Sequence, residues 1–201
     1  LALGKEMVIG SRAEKPQIDL KDSDLVFVGY GVIAPEQNWN DYAGVDVKGK
    51  VVLRLINDPG FHNGDASLFK GRTMTYYGRW TYKFEEAARQ GGAGVLIVHE
   101  TEAAAYGWEV IRNGWSGPQF DLPPEEDTDP RMPIQGWITT ETATQLFADA
   151  GLDFEAQRQA ADQRGFKAVP LDATLSVNLK STVRRATSDN VLALLPGTTR
   201  K

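Results

Sequence analysis

The 201-residue sequence has no cysteine, only two histidines and no apolar run long enough to cross a bilayer. Without cysteine it forms neither disulfides nor thiolate metal sites, which leaves the redox compartment open. The apolar runs fall far short of the ~18 consecutive residues of a spanning helix, so no membrane insertion is predicted. A formal net charge of −5, with lysine and arginine scattered along the chain, offers no basic surface for nucleic acid.

The residues that are present have the balance of an ordinary globular domain. Hydrophobic residues make up 41% of the chain and charged residues 24%. A chain of this length buries a core without help from metal or disulfides. No internal repeat or low-complexity tract interrupts it. One folded domain is therefore predicted.

Both ends of the sequence look like cuts in a longer chain. Leu1 is not an initiator methionine, and the residues after it lack the basic, apolar and small-residue order of a signal peptide. We therefore expect any targeting segment to lie upstream. Val191–Leu195 is a continuous apolar run, which is typical of a strand buried on both faces of a parallel sheet. We expect its parallel partner to lie beyond this chain.

The clearest architectural pattern spans residues 51–98. Val51–Ile56 and Gly94–Val98 are short apolar runs rich in β-branched residues, which predicts two buried strands. Between them, Arg79–Gln90 has apolar residues at helical spacing, and Gly91 supplies a stop. The order of strand, helix and strand predicts a right-handed parallel crossover.

Outside that unit the pattern is less regular. Residues 101–131 mix aromatic residues with glycine, proline and acids and show no sustained period, which predicts a long loop. Pro133–Ile138 is predicted to be a strand that enters a helix capped by Thr139 or Thr140, and Asp153 is predicted to cap another helix. Two further strands are predicted at Leu25–Ile33 and Ala173–Leu179.

Two patterns imitate hydrolase motifs without completing them. His99 and Glu100 match the start of the zinc-binding H-E-x-x-H motif, but Ala103 stands where the second histidine is needed. Ser116 lies in a stretch that resembles a serine nucleophile elbow, but Pro118 replaces the last glycine of that motif. Neither pattern predicts a catalytic residue.

Three polar residues of a glycine-rich loop offer a different metal site. Asp58, His62 and Asp65 could bind a divalent ion, which would make the chain a free-standing metal-dependent hydrolase. Solvated loop side chains are the simpler interpretation, and we favour it for these residues and for Asp41. Two histidines are also little material for a catalytic zinc centre.

Aromatic residues in irregular segments are the candidates for contact with a substrate or partner. Rigid aromatic side chains form walls for peptide side chains or for a domain interface. Trp80, at the start of the predicted helical stripe, is instead expected in the core. The candidate contact residues are Tyr76, Tyr77, Tyr106, Trp108 and Trp115.

Several long stretches resemble the protease-associated domain that is inserted in bacterial zinc aminopeptidases. The first are Leu25–Pro35, Asp41–Val52 and Asn57–Pro59. Gly71–Trp80 and Lys83–Val98 resemble the helix and the following strand of the same domain. These strings are long and specific, and the resemblance covers most of the chain from residue 20 to residue 197.

The resemblance implies a non-catalytic domain. In that family the insert is a β-rich α/β domain beside a catalytic domain with two neighbouring zinc ions, and relatives include glutamate carboxypeptidase and transferrin receptor. The implied fold is α/β (α+β), with a curved, largely antiparallel sheet or open barrel, flanking helices and one βαβ crossover. No catalytic residue, metal ligand or cofactor is implied in this chain, and zinc is expected in the missing peptidase domain. The resemblance also implies an exported parent, either periplasmic or extracellular.

The resemblance also divides the chain. Residues 1–19 are expected to be an N-terminal arm from the parent, residues 20–188 the protease-associated domain, and residues 189–201 the start of the truncated peptidase domain. The expected partners are the parent peptidase domain and, in the intact protein, a peptide substrate. The domain is expected to shape or cover the substrate entrance. A scaffold or protein-interaction module is the main alternative.

Overall fold

A computed structural model describes residues 1–197 as a mixed α/β fold built on one six-stranded sheet. The sheet curls into a half-barrel with helices beside it, which confirms the predicted fold class. The strand order across the sheet is β1-β7-β6-β5-β2-β8, and β3 and β4 form a separate two-stranded ribbon. The strands are β1 Met7–Gly10, β2 Gln17–Phe27, β3 Ile33–Ala34, β4 Trp39–Asn40, β5 Val51–Leu55, β6 Gly94–His99, β7 Ile134–Thr139 and β8 Val169–Lys180.

The centre of the sheet is parallel, so the expectation of a largely antiparallel sheet is wrong. Strands β2, β5, β6 and β7 all run in one direction, and only the edge strands β1 and β8 are antiparallel to their neighbours. Every residue of β5 and of β6 is buried. Their continuous apolar sequence is the pattern that parallel strands covered on both faces require.

The helices connect the parallel strands and cover the sheet. The parallel crossover predicted for residues 51–98 is confirmed, because β5 and β6 are parallel neighbours joined through α1 (Trp80–Arg89), and its right-handedness stays a prediction. Thr139 and Asp153 cap α4 and α5 as predicted, accepting hydrogen bonds from Thr142 N and Ala156 N. The helices are α1 Trp80–Arg89, α2 Thr101–Ala104, α3 Trp108–Gly114, α4 Thr140–Asp149 and α5 Phe154–Ala161.

Residues 101–131 are not one long loop, because α2 and α3 lie within them. Ala105, in the left-handed region at φ 67°, separates the two helices. Each helix is too short for a helical period to emerge from the sequence. From Trp115 to Arg131 no helix or strand is present, as predicted.

The two ends of the chain differ in how they are packed. Strand β1 and the start of β2, both within the predicted N-terminal arm, belong to the main sheet. Residues 181–197 form no helix or strand, and Val191, Leu192, Leu194 and Leu195 are between 89% and 95% exposed. Residues 191–195 pair with none of the described strands, and their predicted pairing with a partner beyond this chain stays a prediction. Residues 198–201 of the predicted peptidase-domain start lie outside the described residues.

Two hydrophobic clusters form the core, one containing Leu53 and Phe147 and the other Val52 and Trp137. Adjacent strand residues such as Val52 and Leu53 point to opposite faces, so the clusters lie on the two faces of the sheet. Among residues 1–197, no helix has the length and apolarity needed to cross a membrane.

Candidate functional site

Tyr76 and Tyr77 form a 3-10 turn immediately before α1. Tyr76 is 54% exposed, and its hydroxyl donates to Glu85 over 3.2 Å. Tyr77 is half-buried against the core, and its hydroxyl donates to Glu36 over 2.7 Å. That contact raises the pKa of Tyr77 to about 12, so the phenol stays protonated. Of these two tyrosines, Tyr76 therefore presents more surface to a partner.

Tyr106, Trp108 and Trp115 lie half-buried along the second core cluster. The rings of Tyr106 and Trp108 flank His99, at centroid distances of 5.8 and 5.7 Å. Trp108 Nε1 donates to the carbonyl of Gly4 over 3.1 Å. Trp115 packs edge-on against Phe84 in α1, at 6.0 Å. These three rings hold the segment from α2 to α3 against the sheet, and only part of each ring is free for contacts.

Trp80 is 45% exposed, so its predicted place in the core is wrong. The inward face of α1 carries Tyr82, Lys83 and Glu86 as well as Phe84 and Ala87. Trp80 lies on the same helical stripe as Phe84 and Ala87, but it is the first residue of α1, and its ring packs edge-on against Phe84 at 5.7 Å. Met74, at 40%, and Tyr76 are exposed just before Trp80. We call Met74, Tyr76 and Trp80 the aromatic patch.

Asp58, His62 and Asp65 each have separate partners. Asp58 is fully buried and accepts a 2.5 Å hydrogen bond from Thr75 N, which fixes the backbone just before Tyr76. Asp65 accepts from the hydroxyl and backbone N–H of Ser67. The prediction that Asp58 is a solvated loop residue is therefore wrong. Among residues 1–197, no group of three or more histidine, aspartate and glutamate side chains could hold one metal ion.

His62 belongs to a polar bridge between the loop after β5 and helix α5. Arg158 Nη1 lies 2.8 Å from Glu100 Oε1 and 3.2 Å from His62 Nδ1. Because a guanidinium nitrogen only donates, His62 Nδ1 accepts and Nε2 carries the hydrogen. Nε2 lies 3.3 Å from Glu100 Oε2. Nε2 and Glu100 Oε2 form no hydrogen bond, so His62 joins this bridge through Arg158, which favours a locking role over a metal ligand.

A buried charge network lies beneath the aromatic patch. Lys83 Nζ donates to the carbonyls of Tyr30 and Asn57 over 2.6 and 2.8 Å. Arg54 donates to the Lys83 carbonyl and to the Tyr42 hydroxyl. Burial lowers the pKa of Lys83, and it lowers the pKa of Arg54 to about 10. The network ties the ends of β2 and β5 to α1.

Asp41 is a second acidic residue near Lys83, beside Asp58, and its predicted solvated position is wrong. The carboxylate is buried and accepts from Val32 N over 2.9 Å and from Trp39 Nε1 over 2.7 Å. Burial raises the pKa of Asp41, while these two donors and the nearby Lys83 oppose the shift. The sequence carried one usable signal for the network, since Arg54 interrupts the apolar run of β5.

A cleft of about 650 Å³ lies at the carboxyl ends of β6 and β7. It borders the N-terminal turn of α4, and His99, Trp108 and Thr140 are among its lining residues. Ligands of open α/β sheets commonly bind at the carboxyl ends of parallel strands. No local sequence pattern marks this cleft, because its walls come from segments distant in sequence.

Comparisons with known proteins give little similarity. No protein-family model matches the chain, and none of the curated proteins matches it. Among solved structures, an aminopeptidase from Aneurinibacillus sp. strain AM-1 aligns with 19% identity and a TM-score of 0.32. The alignment covers 87% of this chain and 33% of that one, so this chain spans about a third of that structure. At that TM-score the similarity to an aminopeptidase is weak and does not establish a common fold.

Proposed function

We propose that the chain is a non-catalytic protease-associated domain of a zinc aminopeptidase, and that it shapes or covers the substrate entrance of the adjacent peptidase domain. The observation that carries this proposal is the aromatic patch on a rigid base. Met74, Tyr76 and Trp80 are exposed, while Asp58 and Lys83 are buried directly beneath the segment. Zinc and the catalytic residues belong to the peptidase domain in this proposal.

The resemblance to protease-associated domains falls on the part of the molecule that supports the patch. The similar strings contain the end of β2, the first two residues of β5, most of α1 and nearly all of β6. These three strands are neighbours in the sheet. The similar residues are therefore contiguous in space, and the aromatic patch projects from them.

The patch would act by steric selection. Asn57 N donates to the Gly78 carbonyl over 3.2 Å, and Asp58 holds Thr75, so both ends of the turn are anchored. A rigid aromatic wall excludes bulky substrates and contacts apolar side chains without losing much conformational entropy. The free parts of Tyr77, Tyr106, Trp108 and Trp115 would extend this contact surface.

The test compares substrate preference in the intact parent enzyme. A Tyr76→Ala, Trp80→Ala double variant is expected to change the ratio of kcat/KM for tripeptides over dipeptides by about threefold or more. Val110→Ala, at an exposed apolar position outside the patch, is the control and leaves the ratio unchanged. A second double variant, Trp108→Ala with Trp115→Ala, tests the half-buried rings. An unaltered ratio in both double variants contradicts the entrance role.

The isolated chain provides the test of non-catalysis. We expect no turnover of aminoacyl substrates by the purified chain with added zinc. Robust turnover, abolished by His62→Ala, would instead support the free-standing hydrolase built on Asp58, His62 and Asp65.

The exposed apolar run at 191–195 favours a second function, a protein-interaction module. Contiguous exposed apolar surface marks protein contacts. Light scattering of the chain mixed with the separate peptidase domain distinguishes the interaction module from the entrance role. A stable complex with unchanged substrate preference supports the scaffold role over the entrance role.

A further inference from the structure

Two asparagines of this chain, Asn63 and Asn113, are each followed by glycine, and the fold places them in different surroundings. Asn63 is exposed and lies in a turn of the loop after β5. Asn113 lies in the last turn of α3. A glycine has no Cβ, so its backbone nitrogen is the least shielded that can follow an asparagine. The local structure therefore decides which of these two glycine nitrogens can attack the preceding side chain.

The turn at Asn63 polarises the side-chain carbonyl. Asn63 Oδ1 accepts a hydrogen bond from Asp65 N over 2.8 Å. Attack on Asn63 Cγ by the Gly64 nitrogen places negative charge on Oδ1. A donor that is already in position stabilises such a developing charge without reorganisation. The Asp65 N–H therefore favours the reaction and does not have to be displaced.

The nitrogen of Gly64 is free to attack. Among residues 1–197, the Gly64 N–H donates to no backbone carbonyl and to no side chain. Gly64 has φ +68°, and a Cβ added there would meet nothing within 4 Å. No hydrogen bond of Gly64 therefore has to break before its nitrogen approaches Asn63 Cγ.

Helix α3 protects Asn113. Gly114 is the last of the seven residues of α3. Beyond the first turn of an α-helix, each backbone N–H donates to a carbonyl of the preceding turn. The Asn113 carbonyl accepts from Trp115 N and also from Ser116 Oγ, the latter over 2.9 Å. The end of the helix must therefore open locally before the Gly114 nitrogen can attack.

We propose that Asn63 is a site of spontaneous deamidation, and that the fold directs this reaction to Asn63 over Asn113. The Gly64 nitrogen gives its proton to hydroxide and bonds to Asn63 Cγ. The side-chain nitrogen takes a proton from water and leaves as ammonia. A second water then opens the succinimide ring at either carbonyl, which gives an aspartyl or an isoaspartyl residue. The proposal does not depend on the entrance role.

Both products change the loop beside the polar bridge to α5. Each adds one negative charge next to His62, whose Nδ1 lies 3.2 Å from Arg158 Nη1. The isoaspartyl product also inserts one carbon into the backbone between His62 and Gly64. Deamidation therefore alters the residue that adjoins this bridge.

The test is a peptide map of the chain after incubation in H₂¹⁸O at pH 8, with and without urea. In the folded chain we expect Asn63 to react about tenfold faster than Asn113, because only Asn113 requires local opening. Each product carries one ¹⁸O, and both the aspartyl and the isoaspartyl peptide appear at Asn63. In urea we expect the two rates to converge, because neither glycine is then held in a helix. At pH 6 the reaction is expected to be slower, since the attacking nitrogen must lose a proton.

A pair of glycine variants tests the attacking nitrogen. Gly64→Ala is expected to slow the reaction at Asn63 by about tenfold or more, because the added methyl group obstructs the nitrogen. Gly117→Ala is the matched control, since an added Cβ there also meets nothing within 4 Å. It is expected to leave the rate at Asn63 unchanged.

Three results would overturn the proposal. Equal rates at Asn63 and Asn113 in the folded chain would show that the fold does not select the site. A contrast of the same size in urea would show that the flanking sequence selects it. An aspartyl product alone would show that water attacks the side chain directly, without the ring.

Discussion

The interior loop (residues 57–79), which follows β5, and the surface loop (residues 115–131), which follows α3, are anchored in opposite ways. The interior loop is tied by buried groups, with Asn57 bonded to Ala103 and Gly60 N donating to Asp162. The surface loop is tied by ion pairs at the surface, and its Phe120 is 89% exposed. Residues 57–61 and 68–69 of the interior loop are buried in the core, whereas the surface loop lies on the core.

This contrast indicates which contacts contribute most to the free energy of unfolding. Buried hydrogen bonds and charges become costly when one partner is removed, because the other is left without water. Exposed ion pairs compete with water and are screened by salt, so each contributes little. Substitutions in the interior loop are therefore expected to lower the stability of the whole domain. Substitutions in the surface loop are expected to change only the local order of that loop.

The largest effect is expected for Lys83→Ala. This change leaves the carbonyls of Tyr30 and Asn57 without their donor and removes the positive charge nearest to Asp58. Loss of one member of a buried charge network costs about 3–5 kcal/mol in the free energy of unfolding. Urea denaturation measures it. Lys48→Ala, at an exposed lysine, is the control, and equal losses in the two variants would show that the network contributes nothing.

An intermediate effect is expected from the same small change made in each loop. Gly60 has φ +93°, and an added Cβ would lie 2.8 Å from Leu68 Cβ and 2.9 Å from two backbone oxygens. Gly60→Ala is therefore expected to cost about 1–3 kcal/mol. At Gly117 in the surface loop, an added Cβ meets nothing within 4 Å, so Gly117→Ala is expected to change stability by less than about 0.5 kcal/mol. Thermal unfolding of both variants measures the contrast, which disappears if the two loops are equally tight.

The smallest global effect is expected for Arg12→Ala. Arg12 holds the surface loop through Asp121 and Asp127, with Nη2 2.7 Å from Asp121 Oδ1. Global stability is expected to fall by less than about 1 kcal/mol. Cleavage by endoproteinase Glu-C at Glu125 and Glu126 is nevertheless expected to become faster.

Arg72→Ala removes a more exposed ion pair, with Glu102, outside the surface loop, and is the control for Arg12→Ala. The pH dependence of the Arg12–Asp121 pair provides a second test of this role. The hydrogen bond from Arg12 lowers the pKa of Asp121 below its ordinary 3.8. The stability from this pair is present above pH 3.8 and is lost as the pH falls through the lowered pKa. Protection factors for hydrogen exchange in the loop, each relative to the intrinsic rate at its own pH, that are equal at pH 7 and in strong acid would contradict this role for Arg12.

Local sequence signals predicted the elements that neighbouring residues control. The crossover at 51–98 follows from two apolar runs and one helical period, and the caps at Thr139 and Asp153 follow from side chains that bond their own helix. Helices α2 and α3 were not predicted, because a helix of one or two turns is too short to show a helical period in the sequence.

The candidate sites were harder to predict because burial depends on distant partners. Asp58 and Asp41 were predicted to be solvated loop residues. They are buried instead, and the N–H groups and cations around them come from other elements. Trp80 is exposed although Phe84 and Ala87, on the same stripe of α1, are buried, so helical period alone did not determine its burial. No window of local sequence contains these contacts.

By itself, the sequence determined the strand and helix segments of the β5-α1-β6 unit, the helix caps and the family resemblance. Propensity, capping and apolar periodicity act over a few residues, so they can be read in order along the chain. Tertiary structure alone decided the parallel order of the sheet, the burial of Lys83, Arg54 and Asp41, and the cleft at His99. Each of these depends on which distant segments meet, because a buried charge or a cleft wall is defined by its neighbours in space.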